Sequence, residues 1–98
     1  MEDKKDSSEF KSLVKQVQKL EKQMKDNLPE IRESIDNIIK GKITSIQIIE
    51  KTLDVLLNYV QIGIGVEEFN RLNRYYFTIN SENSKQYENY YKEIIEER

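Results

Sequence analysis

Apolar residues recur along this chain every three or four positions and never in strict alternation, so every segment they mark reads as helix. From Ser8 onward, Phe10, Leu13, Val14, Val17, Leu20, Met24 and Leu28 fall on one stripe about 120° wide. The positions between them are Lys, Gln, Glu, Asp, Ser or Asn. In heptads, Phe10, Val17 and Met24 share one core position and Leu13 and Leu20 the other, until Asn27 and Ser34 interrupt it. That run is shorter than the roughly three or four heptads a coiled coil needs, so it predicts a long amphipathic helix.

Pro29 is the only proline. It removes a backbone donor and cannot sit inside a helix without disturbing it. Asn27 and Glu30 have capping-box spacing, which puts Pro29 in the first turn of a new helix. Yet Leu28 and Ile31 carry the stripe onward almost in phase. Two outcomes stand: separate helices, or one long helix kinked at Pro29. Ile31, Ile35, Ile38 and Ile39 then share a face up to Lys40, where Gly41 is a natural cap.

Thr44 and Gln47 repeat the capping-box spacing and open a helix over about residues 44–62. It is the most apolar segment. Ile46, Ile49, Leu53, Leu56, Leu57 and Val60 make one stripe; Ile48, Val55, Tyr59 and Ile62 make a second, nearly opposite. Only the arc holding Glu50, Asp54, Gln47, Asn58 and Lys51 is polar. A helix apolar over about 220° is either central in a bundle or covered by another chain. The second stripe is accordingly core or association surface.

Gly63-Ile64-Gly65 closes that helix and lacks the preceding strand of a phosphate loop. The next helix, about 66–79, turns Phe69, Leu72, Tyr76 and Ile79 inward. Asn80-Ser81-Glu82-Asn83 is a turn and cap cluster. The last helix, from about Glu82, sets Tyr87, Tyr90, Tyr91, Ile94 and Ile95 on one arc about 140° wide. The expected fold is all-α: a small antiparallel bundle of four to five helices, one domain over 9–98 behind a frayed charged tail at 1–8.

A chain of 98 residues has the size of a single domain. Hydrophobic residues make 37% and charged ones 35%, as in a highly charged helical protein. A net charge of −2 exerts no long-range pull on nucleic acid or anionic membrane. Cysteine and histidine are absent, which removes disulfides, thiol chemistry, the usual metal ligands and the commonest general base. Seven serines remain, on predicted caps or polar faces with no base to activate them. Glu67 and Glu68, like Glu93, Glu96 and Glu97, read as dipole complement and solvated surface. Neither enzyme activity, cofactor nor metal is expected. No apolar run approaches the ~20 residues of a membrane span, and the opening Met1-Glu-Asp-Lys-Lys-Asp lacks a signal-peptide core. No membrane association and a cytoplasmic location are the expectations.

Seven of the nine aromatic residues lie between Phe69 and Tyr91. Tyr76, Tyr87 and Tyr91 occupy core-stripe positions, while Tyr75 and Tyr90 sit on stripe edges. Arg71 and Arg74 lie opposite the core stripe of their helix, beside Tyr75 and Phe77, although Glu67 is placed to pair with Arg71 four residues on. Exposed Arg next to aromatic rings marks protein hot spots and single-strand stacking platforms.

These patterns predict a non-enzymatic helical interaction module that binds a larger protein as an adaptor or accessory subunit. The partner-contact candidates are Arg71, Arg74, Tyr75, Phe77, Tyr90, Ile48, Val55, Tyr59 and Ile62. An alternative is an accessory subunit of a DNA replication or repair complex. It would touch nucleic acid only weakly and within the complex, through Lys11, Lys15, Lys22, Lys25, Arg71 and Arg74. A further alternative is a self-assembling structural protein, with homodimers formed through the first helix or the second stripe of the third.

Overall fold

The computed structural model describes the backbone of residues 2–97 and the side chains of residues 9–97. The tail expected at 1–8 lies outside the residues whose side chains are described. Among the described residues there are four helices and no strand: α1 (Glu2–Lys40), α2 (Ile46–Gln61), α3 (Val66–Phe77) and α4 (Ser81–Glu97). The chain is an all-α helical bundle.

α1 runs unbroken through Pro29, so the first two predicted segments are one helix and Asn27 is no cap. Pro29 lies at an exposed position, as does Lys25, whose carbonyl loses its amide partner to the proline. Thirty-nine residues at ~1.5 Å each make a rod of about 58 Å. That length matches the 59 Å long axis of the molecule, whose other extents are 26 and 20 Å.

The turns differ from expectation in detail. Gly41 is not the left-handed residue after α1; Lys42 is, at φ 50. The Lys42 and Ile43 amides donate back to the Ile39 and Ile38 carbonyls at 3.2 and 3.0 Å, a paired closure of the helix end. α2 is capped by Ser45 rather than Thr44, its hydroxyl accepting from the Ile48 amide at 3.3 Å. Gly63, at φ 84, closes α2 in the same way as Lys42 closes α1, with amides of Gly63 and Ile64 on Val60 and Tyr59 carbonyls. The Asn80 side chain caps α4 by accepting from the Asn83 amide at 3.1 Å.

α2 and α3 together form the centre, each packed on by every other helix, whereas α1 and α4 each rest on that pair alone. The core joins Ile35 and Ile38 of α1, Ile49, Leu53, Leu56 and Val60 of α2, Phe69, Leu72 and Tyr76 of α3, and Tyr87 of α4. Phe69 stacks on Tyr91 with ring centroids 5.2 Å apart. Only the C-terminal part of α1, from about Leu28, reaches this core.

Candidate interaction surfaces

Burial divides the tyrosines. Tyr76 is fully buried, and its hydroxyl donates to Glu50 Oε2 at 2.5 Å. The Asn83 amide nitrogen approaches both that carboxylate oxygen and the Tyr76 hydroxyl at 3.1 Å. Tyr87 donates to Asp54 Oδ1 at 2.7 Å. Glu50 and Asp54 sit one turn apart on the polar arc of α2, so that arc is the seat for α3 and α4 hydroxyls. Burial raises the pKa of Tyr76 and Tyr87, and the hydrogen bonds to Glu50 and Asp54 raise them further. Burial, with the Glu30 charge, raises Tyr59.

Several contact candidates are absorbed by the fold. Tyr59 is only 6% exposed, and its Cβ lies against Gly65 at the α2–α3 turn. The second stripe of α2 is therefore not a continuous patch. Ile48 and Val55 are exposed, Ile62 is half-buried and Tyr59 is inside. Tyr75 is half-buried and donates to the Ile43 carbonyl at 2.8 Å, tying α3 to the α1–α2 turn.

Arg71 pairs with Asp36 of α1 at 2.5 Å rather than with Glu67, since the α1 carboxylate stands directly across the α1–α3 seam. Arg32 meets Glu68 at 2.6 Å on the same seam. Both pairs are partly solvated and fix register more than they add stability.

Two surfaces remain open. One is the N-terminal half of α1. Phe10, Leu13, Val14, Val17 and Leu20 are 67, 59, 38, 53 and 57% exposed, the same stripe that is buried further along at Ile35 and Ile38. Lys11, Lys15, Lys22 and Lys25 are exposed along one flank of that stripe. The other is a groove of about 520 Å³ between α3 and α4, bordered by Arg74, Phe77, Lys85 and Glu88. Phe77 is 49% exposed, and the Lys85 ammonium stands 6.0 Å from its ring centroid. Tyr90, outside the groove, is exposed on one side and packs edge-to-face on Tyr87 at 5.7 Å.

The hydroxyl acceptors Glu50 and Asp54, the Asn73–Ser84 pair beneath the groove and Lys85 carried no signal in the sequence. Each matters through a contact 8 to 33 residues away on another helix, which periodicity does not encode. Among the described residues, no helix is long and apolar enough to cross a membrane. Comparison with protein-family models, curated proteins and solved structures finds no match to this chain.

Proposed function

We propose that this chain is a non-enzymatic interaction module that docks on a larger protein through the N-terminal half of α1. One observation carries the reading: five large apolar side chains on one helix face stand exposed beyond the end of the bundle core. Monomers seldom keep such a contiguous apolar strip in water, and helix-in-groove recognition uses this i, i+3, i+4, i+7 spacing. The bundle then serves as a rigid base that holds the helix extended, and the lysine flank favours a partner surface with carboxylates along one edge.

A photo-crosslinking residue at Val17, set against one at Glu93 on the far helix, tests this in cells. The Val17 probe is expected to give one discrete heavier adduct that disappears with Leu13→Asp and Leu20→Asp. An adduct at twice the 11.7 kDa of the chain replaces the adaptor reading with self-assembly through the same stripe. No adduct at Val17 removes both. The nucleic-acid reading keeps the α1 lysines but loses strength at Arg71, whose charge is spent on Asp36.

A further inference from the structure

The groove between α3 and α4 has a closed floor and an open rim. Asn73 and Ser84 form the floor at 5 and 3% exposure. The Asn73 amide nitrogen donates to the Ser84 carbonyl at 3.0 Å, and the Ser84 hydroxyl lies 2.9 and 3.0 Å from the Asn73 carbonyl and side-chain oxygens. These groups satisfy one another, and among the described residues no buried side-chain nitrogen or oxygen lacks a partner. A ligand's polar atoms must therefore be held at the rim.

The rim is cationic and aromatic. Arg32 and Arg71 both have carboxylate partners, but among the described residues neither Arg74 nor Lys85 belongs to an ion pair. Arg74 uses Nε on the Asn70 carbonyl at 3.3 Å, which orients the guanidinium and leaves its terminal nitrogens uncommitted. Glu88 stands one turn beyond Lys85, so two cations face one carboxylate and the rim keeps net positive charge. Phe77 offers a half-exposed ring beside Lys85, a surface that binds an apolar side chain and is costly to leave in water.

We propose that this groove is a recognition site for a short acidic peptide segment. One apolar side chain of the segment seats against Phe77, and its neighbouring carboxylates bind Arg74 and Lys85. A volume of about 520 Å³ lies within the range of small-ligand clefts and suits a few side chains of a short segment. A nucleic-acid strand fits less well. It would need a run of cations for successive phosphates, whereas residues 43–98 carry six Lys/Arg against nine Asp/Glu. The site is independent of the α1 surface.

The test is an NMR titration of the isotopically labelled full chain with a blocked hexapeptide holding Leu-Phe between two acidic residues on each side. The expected result is amide shifts clustered at Asn70, Arg74, Phe77 and Lys85. Affinity should fall about tenfold with Arg74→Glu or Lys85→Glu and about fivefold with Phe77→Ala. Lys92→Glu makes the same charge change elsewhere on α4 and is expected to cost less than about twofold. Three results overturn the proposal: a hexapeptide with lysines in place of the acids binding as well; an oligothymidylate shifting the same amides while the acidic peptide does not; or no shifts up to ~1 mM peptide.

Discussion

The Tyr87 hydroxyl donates to Asp54 Oδ1 at 2.7 Å, joining the middle of α4 to α2. Eleven residues earlier in the chain, Tyr76 makes the equivalent bond from α3 to Glu50, and the two rings meet edge-to-face with centroids 6.3 Å apart. The tyrosine concentration of the last third is thus mainly an interior device: rings fill the core while hydroxyls reach the carboxylates of α2. Tyr87→Phe removes a hydrogen bond to a charged group that is itself partly solvated, so a loss of about 1–1.5 kcal/mol is expected. Tyr90→Phe, whose exposed hydroxyl has no hydrogen-bond partner among the described residues, is expected to change stability by less than ~0.5 kcal/mol. Urea unfolding of the two variants checks the contrast.

The same burial sets a pH dependence. Tyr59, Tyr76 and Tyr87 all have native pKa values above the ordinary 10.0. A phenol with a raised native pKa keeps its proton longer when folded. Its contribution is complete below pH 10 and is lost as pH climbs from there toward the native value. The melting temperature should therefore fall above about pH 10, and fall less steeply when Tyr76→Phe and Tyr87→Phe are combined. Equal alkaline slopes in the double variant and the parent would show that these phenols are not the cause.

Much of the fold is legible in the sequence because burial follows the helical period. On the predicted α2 stripe Ile49, Leu53, Leu56 and Val60 are fully buried, while Ile46 in the first turn is exposed and Leu57 half-buried; on α3, Phe69, Leu72 and Tyr76 are fully buried. The period does not say where neighbours stop. Val55 and Tyr59 lie on one predicted stripe, yet Val55 is exposed and Tyr59, whose Cβ lies against Gly65 at the α2–α3 turn, is buried. Leu13 and Ile35 likewise belong to one α1 stripe, and the bundle ends between them. Arg71 satisfied a local rule with Glu67 but found Asp36 across a helix seam. The open groove was half visible: Arg74 and Phe77 stand out in sequence, while Lys85 joins them only through tertiary packing.

Backbone conformation gives a prediction of opposite sign at two turns. Lys42 sits in the left-handed region at φ 50, which costs a side-chain-bearing residue about 1–2 kcal/mol. Glycine relieves that strain and adds roughly 0.5–1 kcal/mol of unfolded-state entropy, so Lys42→Gly should be neutral to stabilising by up to ~1 kcal/mol. Gly65 shares the left-handed backbone at φ 78, but a Cβ there would lie 3.1 Å from Tyr59 Cβ. Gly65→Ala adds that contact to the backbone strain and is expected to cost about 2 kcal/mol or more. Thermal unfolding should show the Lys42→Gly midpoint unchanged or raised and the Gly65→Ala midpoint lowered.

The two halves of the α1 stripe differ in what they contribute to folding, and alanine substitutions separate them. Ile35 is fully buried against α2 and α3, so Ile35→Ala leaves a cavity and should cost about 2–5 kcal/mol. Leu13 and Leu20 are more than half exposed, and alanine is at least as good a helix former as leucine. Leu13→Ala and Leu20→Ala together should therefore leave bundle stability within about 0.5 kcal/mol of the parent. Hydrogen exchange should agree: amides of residues 9–20, held by helix bonds alone, exchange faster than those of residues 31–38, which also require the core to open. A large loss of stability in the Leu13/Leu20 variant would mean that those side chains are already covered in the free protein. Such a result would leave α1 with no vacant face for a partner, so a stability measurement bears directly on the docking role proposed for this helix.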